Sequence, residues 1–278
     1  MNARLLFILL LFTIGALWYI IGYWRRKAGE AAFAAARLTE KSEERERYCR
    51  LAVMAGHREA CRMFCLLHPE RFDGHSPHKP FKLRGIRISF YGYYYPSRYN
   101  ALLNDEQRAF CHSIYQFKQG DIHGIEFFKT CMNALQLKKR PYHIMFMPCS
   151  NWIKYGQRFK RLDRYIGKHR QDLTSGLYDV DICDARESLH EAKGGEKRIL
   201  ERNYLITGKI KGKEIIIIDD VLTTGQSVVD YKEEIERCGG KVVAAIFYGK
   251  TLSMPSMLLV QIHVWGNHIA HIIERMTK

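Results

Sequence analysis

Two adjacent carboxylates, Asp219 and Asp220, follow four consecutive isoleucines, Ile215 to Ile218, and lead into Val221, Leu222, Thr223, Thr224, Gly225, Gln226 and Ser227. Glycine lets the backbone approach a ligand closely, and threonine and serine hydroxyls donate hydrogen bonds. A helix starting here would add unpaired N–H groups at the positive end of its dipole. That is a cradle for a monophosphate. The carboxylates cannot share the anion, since like charges repel, but as pure acceptors they suit a pair of sugar hydroxyls. Phosphate and diol recognition side by side describe a ribose 5-phosphate site.

Such a loop needs elements to hold it. The β-branched run before the acids is of the kind a buried parallel strand requires. Beyond Gly225, Val228, Val229, Ile235 and Cys238 alternate with Asp230, Lys232, Glu233, Glu234 and Glu236, which predicts an amphipathic helix closed by Gly239 and Gly240. Val242 to Phe247 predicts the next strand. Strand, loop, helix and strand make a βαβ crossover, with the loop at the carboxyl edge of the sheet, where such sheets bind ligands. Two other readings use the same residues. A plain helix cap needs one Asp or Thr, fewer than this loop supplies. A Walker B strand requires a GxxxxGK[ST] loop, and Gly249-Lys250-Thr251 has Ala244 where the first glycine belongs and follows the acidic strand.

The stretch IIIIDDVLTTGQS, residues 215–227, resembles the 5-phosphoribosyl 1-pyrophosphate (PRPP) motif of type I phosphoribosyltransferases. That resemblance implies an α/β fold, a twisted and mostly parallel sheet flanked by helices. It assigns Asp219 and Asp220 as the catalytic pair on the ribose hydroxyls, and Thr223, Thr224, Gly225, Gln226 and Ser227 to the 5-phosphate. Mg²⁺ would arrive with PRPP, with Asp219 and Asp220 within its reach. The resemblance also implies an earlier strand with a pyrophosphate loop, His143 to Met147 followed by Pro148, Cys149, Ser150 and Asn151, and Arg202 as a further pyrophosphate contact.

Within the superfamily the sequence is most similar to ComF-type proteins, from about Cys111 to Leu252. Phe117 to Asp121 resembles their Lys-x-x-Gly-Asp-like element, and Arg202-Asn203 their Arg-Asn element. Their Arg-Gly-Phe-Asn-Gln element stands only as Tyr155-Gly156-Gln157-Arg158-Phe159, and an apolar run replaces their N-terminal zinc module. Ser188 to Arg202 would be the loop that closes over PRPP, carrying Lys193, Lys197 and Arg198. The implied reaction transfers the 5-phosphoribosyl group to a nitrogen acceptor with release of pyrophosphate. The alternatives are PRPP binding without catalysis, or a ComF-like role in competence and DNA uptake.

From Leu5 to Trp24 no charged residue occurs, and twenty helical residues rising ~1.5 Å each span a bilayer core of ~30 Å. Residues 1–27 therefore read as a single-pass transmembrane signal anchor in the cytoplasmic membrane. Arg25, Arg26 and Lys27 place the remainder in the cytoplasm. A cleaved signal peptide, with Ala34 and Ala36 as the small-residue site, is the alternative. Residues 28–73 read as a helical spacer. Within it, 43–68 resembles one Sel1-type repeat through Tyr48, Leu51, Ala52, Ala55, Gly56, His57 and Ala60. Cys49, His57, Cys61, Cys65 and His68 have zinc-ligand types, yet they sit among core residues and read as packing.

Residues 82–278 are expected to form the phosphoribosyltransferase-like domain. Residues 82–110 and the tail 251–278 would supply its acceptor hood, and His263, His268 and His271 read as packing or surface residues. Tyr91, Tyr93, Tyr94, Tyr95 and Tyr99 beside Arg84, Arg87 and Arg98 have the types that stack on single-stranded nucleic acid.

The chain has 278 residues, 47% hydrophobic and 26% charged, which excludes a disordered protein. Lys and Arg number 44 against 29 acids, a formal charge of +15 that points to an anionic partner. Ten of these cations lie between Lys138 and Arg170 with one acid, Asp163, beside the expected pyrophosphate loop. Eight irregularly placed cysteines with no Cys-x-x-Cys pair argue against a disulfide scaffold.

Overall fold

A computed structural model of the chain describes residues 3–182, 203–207 and 210–277, the side chains at 3–6, 8 and 9 excepted. In chain order it forms α1 (Ala3–Leu38), α2 (Ser42–Met54), α3 (Arg58–Leu67), α4 (Pro69–Asp73), β1 (Phe81–Leu83), β2 (Ile86–Tyr94), α5 (Asp105–Gln119) and α6 (Ile125–Leu135). Then follow β3 (Tyr142–Phe146), α7 (Trp152–His169), β4 (Leu173–Ser175), β5 (Val180–Ile182), β6 (Tyr204–Ile206), β7 (Glu214–Leu222), α8 (Gln226–Arg237), β8 (Lys241–Thr251) and α9 (Met257–Met276). These divide into two compact units, one of residues 1–74, 101–103 and 253–278, the other of 75–100 and 104–252.

The first unit is helical. Gly56, at φ +88°, turns the chain between α2 and α3, and the His57 ring accepts from the Ala60 N–H at 3.2 Å to cap α3. Cys49, Ala52 and Val53 of α2, Ala60, Cys61, Phe64 and Cys65 of α3, and Val260 and Val264 of α9 are buried. The cysteines with zinc-ligand types thus serve this core. Burial pushes the Cys49 and Cys65 thiols up to about 12 and Cys61 up to about 11, so all three stay protonated near neutrality. The tail read as acceptor hood forms α9 and belongs here, packed through Val260 and Val264. The run expected to cross a membrane lies inside α1, yet among the described residues no helix is long and apolar enough to do so.

The second unit is built on a six-stranded sheet of order β1-β2-β8-β7-β3-β4, antiparallel only between β1 and β2. Its centre is apolar on both faces: Ile215 to Ile218 of β7 are all 0% exposed, and β3 is buried throughout. The chain leaves β3 through α7 toward β4 on one side, and leaves β7 through α8 toward β8 on the other. Neighbouring parallel strands whose connections depart in opposite directions open a crevice at their carboxyl ends, the usual ligand position in such sheets. Tyr155, Phe159, Leu162 and Ile166, at helical spacing, bury one face of α7, and Phe159 stacks on Phe146 of β3 with ring centroids 4.8 Å apart.

A buried polar bracket ties β3 to the chain leading into β5. His143 meets Asp179 Oδ2 through Nε2 and Thr174 Oγ1 through Nδ1, both at 2.7 Å. Burial, then the Lys213 charge, depress the His143 pKa against the opposing pull of Asp179. A histidine held neutral in the fold but protonated in the unfolded chain costs stability as pH falls below its ordinary value of about 6.5. Thermal unfolding between pH 7.5 and 5.5 is expected to show that loss, and His143→Gln to remove its share of the slope.

Candidate active site

Asp219 and Asp220 stand near the carboxyl end of β7, beside the carboxyl end of β3. Their side chains are 16% and 8% exposed. Arg158 of α7 reaches them both, with Nη1 2.5 Å from Asp220 Oδ2 and 3.8 Å from Asp219 Oδ1. Lys118 of α5 lies 3.7 Å from Asp220 Oδ2, and Asp219 Oδ1 accepts from the Asp220 N–H at 2.7 Å. Burial and the neighbouring Asp220 charge push the Asp219 carboxyl up, against the pull of Arg158 and Lys118. Burial alone would lower the Arg158 pKa, but Asp220, Cys149 and Asp219 hold it above its usual value. The acids are therefore a clamped pair with two cations from two different helices.

The turn after the acids is open. Thr223, Thr224, Gln226 and Ser227 are exposed, and Gly225 stands at φ +78° as the residue before α8. A Cβ on Gly225 would lie 2.3 Å from Leu83 Cδ2, so only glycine lets the turn close onto β1. The first N–H groups of α8 lack intrahelical partners, as in any helix start, and that of Gln226 donates to Thr224 Oγ1 at 3.4 Å. Gln226 is engaged at both ends of its amide, accepting from Arg84 Nη1 and donating to Asp230 Oδ1, each at 2.6 Å. All five residues expected to hold a phosphate thus line one solvent-facing turn beside the acid pair.

Residues 148–151 follow β3 and border the same crevice. Cys149 is buried, and burial pushes its thiol up to about 12, which leaves it no part as a nucleophile. The Cys149 and Ser150 carbonyls accept from Asn203 Nδ2 at 3.1 and 3.4 Å, and Asn151 Oδ1 accepts from the Lys154 N–H at 2.9 Å, capping α7. Asn203, part of the Arg-Asn element, therefore braces the loop. Arg202 lies outside the described residues, as do Lys193, Lys197 and Arg198.

Residues 170–251 match the family model of the phosphoribosyl transferase domain. The match runs from just before β4 to the end of β8 and includes the acid pair and the turn to α8; β3, its loop and Arg158 precede it. The chain is also similar to orotate phosphoribosyltransferase of Sulfolobus acidocaldarius, 42% identical over 57 residues. That similarity covers 20% of this chain, and the chain spans about a quarter of the length of the curated relative, 26%.

Two cations of the site escape a reading of the matched stretch, since Lys118 and Arg158 lie on helices upstream of it. Gly120 explains how they converge. It ends α5 at φ +80°, and a Cβ there would sit 2.4 Å from the Gln157 carbonyl oxygen, so the end of α5 rests directly on the α7 backbone next to Arg158. This gives the Lys-x-x-Gly-Asp-like element a physical role: lysine to the acids, glycine at the contact. Gly120→Ala is expected to cost roughly 2–4 kcal/mol through left-handed strain and overpacking. Thermal unfolding compared with Gly212→Ala, at φ +76° with open space around it, separates the contact from the strain.

Three of the five clustered tyrosines are buried, and Tyr91 and Tyr94 are half-buried. Tyr93, Tyr95 and Tyr99 are 5%, 5% and 7% exposed, and Arg98 lies over the Tyr99 ring at 4.9 Å. These three rings pack within their own unit, so of the five only Tyr91 and Tyr94 keep surface on which a base could stack.

Proposed function

We propose that this chain binds PRPP in the crevice between β3 and β7 and transfers its 5-phosphoribosyl group to a nitrogen acceptor. The observation that carries the reading is the acid pair and the open turn of α8 at a topological switch point, inside the stretch similar to phosphoribosyl transferase domains. Asp219 and Asp220 accept from the ribose hydroxyls. The hydroxyls of Thr223, Thr224 and Ser227 and the first N–H groups of α8 hold the 5-phosphate. The loop 148–151 borders the pyrophosphate. The bond from ribose C1 to the pyrophosphate oxygen breaks with its electron pair on oxygen, a C1–N bond forms, and the acceptor nitrogen releases its proton. The protein's part is positioning and electrostatics, with the acids steadying the cationic sugar.

The residues present fit Mg²⁺ arriving with the substrate. Two carboxylates offer hard oxygen donors, and among the described residues no group of three His, Cys, Asp or Glu forms a metal set of its own. That suits an ion sharing its coordination with a polyphosphate, where it would neutralise the departing charge.

PRPP binding without turnover is the competing reading, favoured by the ion pairs that already occupy both acids. Pyrophosphate release from PRPP and Mg²⁺, measured on the full chain in detergent across a panel of nitrogenous acceptors, decides between them. Release with any acceptor supports transfer; calorimetric binding without release supports the binding module; neither rejects the site.

The same proposal keeps residues 1–27 as a single-pass anchor in the cytoplasmic membrane with the rest of the chain in the cytoplasm, on the strength of the charge-free run from Leu5 to Trp24, of which the side chains at 5, 6, 8 and 9 lie outside those described. The exposed Phe7, Leu11, Ile14, Trp18, Ile21 and Trp24 of α1, followed by Arg25, Arg26 and Lys27, support it. Resistance to alkaline extraction, and cleavage of the second unit only from the cytoplasmic side, are the expected results.

A further inference from the structure

We propose that α9 pairs with α9 of a second copy of this chain in a parallel, coiled-coil-like seam. The helix packs through one short apolar patch and leaves a longer apolar stripe exposed. Val260 and Val264 are 1% and 3% exposed and pack it within the first unit, where α9 meets α2 and α3 and Gln261 donates to the Val53 carbonyl. On the opposite side Leu258, Ile262, Trp265, Ile269, Ile272 and Met276 are between 43% and 81% exposed. Their spacing is four, three, four, three, four, the alternation of a heptad seam over about 27 Å of helix.

The chemistry of the stripe selects its occupant. From Met257 to Ile273 the helix carries no Lys, Arg, Asp or Glu, so an identical helix meets no like charge along the seam. With Ile262, Ile269 and Met276 as one set of seam positions and Leu258, Trp265 and Ile272 as the other, β-branched residues dominate the set where they favour parallel two-stranded pairing. A lipid surface fits less well. A helix lying on a membrane opposes its apolar face with a solvated, basic one. Here the first two turns of the opposite side are buried at Val260 and Val264, the exposed remainder carries Asn267, His268 and His271, and the first cation, Arg275, is in the last turn. Parallel pairing rests in part on the anchor reading: copies held by their first helices in one membrane present α9 in the same direction. A Cβ on Gly56 would lie 3.4 Å from Gln261 and 3.8 Å from Arg25, so α9 begins beside the basic residue that ends the apolar run.

The test uses the full chain in detergent micelles. Sedimentation over a hundredfold range of concentration is expected to show a monomer–dimer equilibrium. Ile262→Glu with Ile269→Glu should shift its midpoint upward at least tenfold, while circular dichroism and the thermal midpoint stay unchanged because both residues face outward. Ile269→Cys under mild oxidation should give a covalent dimer that the unsubstituted chain does not give, and this arm holds even if the double variant fails to fold. A chain monomeric throughout, or a dimer indifferent to the glutamates, would overturn the proposal. So would an Ile269→Cys chain that cross-links no faster than its parent yet takes up a lipid-soluble thiol reagent, the outcome of a membrane-covered face. None of these readouts requires PRPP, and dimerisation can fail while extraction still shows an anchor.

Discussion

Asparagine at Asp219 or at Asp220 is expected to lower PRPP binding by ~10- to 100-fold in each case, the loss of a hydrogen bond to a charged acceptor worth ~1.5–3 kcal/mol. The same two variants are expected to move stability in opposite directions. Asp220 holds Arg158 at 2.5 Å, and both side chains are largely buried. Neutralising Asp220 leaves the guanidinium with only the more distant Asp219, and breaking a buried pair from one side costs about 3 kcal/mol or more. Asp219 is the costly member, raised by burial and by its neighbour. In the fold it keeps a proton to higher pH than in the unfolded chain, so its contribution falls as pH rises from the ordinary carboxylate range toward neutrality. Asp219→Asn removes that loss while leaving Arg158 paired. It should therefore be more stable than its parent at pH 7.5 and indistinguishable near pH 4. Thermal unfolding of the unliganded chain across that range decides the matter. An Asp219→Asn chain that melts below its parent at pH 7.5, or an Asp220→Asn chain that melts with it, contradicts this division of roles.

The parts of this arrangement written in consecutive residues could be read from the sequence, and those made by distant ones could not. Ile215 to Ile218 forecast a buried strand because a parallel sheet leaves no solvated face, and β7 does extend through them to Leu222. Gly225 and the amphipathic run after it forecast α8. The neighbour of β7 is another matter. That β3 lies beside it, so that 148–151 and 219–227 face one crevice, depends on strand order, which local periodicity does not encode. Arg158 was visible only as a departure, a cation inside Tyr155-Gly156-Gln157-Arg158-Phe159 where the resembled element reads otherwise. Its partner became evident only once Phe159 had fixed α7 on β3. The tail failed for the converse reason. Assigning it to a hood left open what its apolar residues pack on, and its buried valines pack in the first unit.

Arg158→Met is expected to lower pyrophosphate release by ~10²–10³-fold, the scale of removing one preorganised charge from a reacting centre. In the unliganded chain the guanidinium sits on the acids proposed to accept the sugar diol, and its Nε is buried without a hydrogen-bond partner. Ribose hydroxyls that donate to Asp219 and Asp220 replace the hydrogen bonds but not the positive charge. The guanidinium therefore has reason to remain beside the acids, next to Cys149 of the loop proposed to border the pyrophosphate. An uncharged side chain there leaves two carboxylates facing a polyanion with Lys118, 3.7 Å from Asp220, as the nearest compensation. Arg158→Lys separates the charge from the fork: it should recover most of the lost release while binding PRPP more weakly than the parent, because a point charge cannot span both acids. If Arg158→Lys is as inactive as Arg158→Met, the fork and not the charge is what the reaction needs. If Arg158→Met releases pyrophosphate at the parental rate, Arg158 is a brace for the empty site and the ion pairs have no part in catalysis.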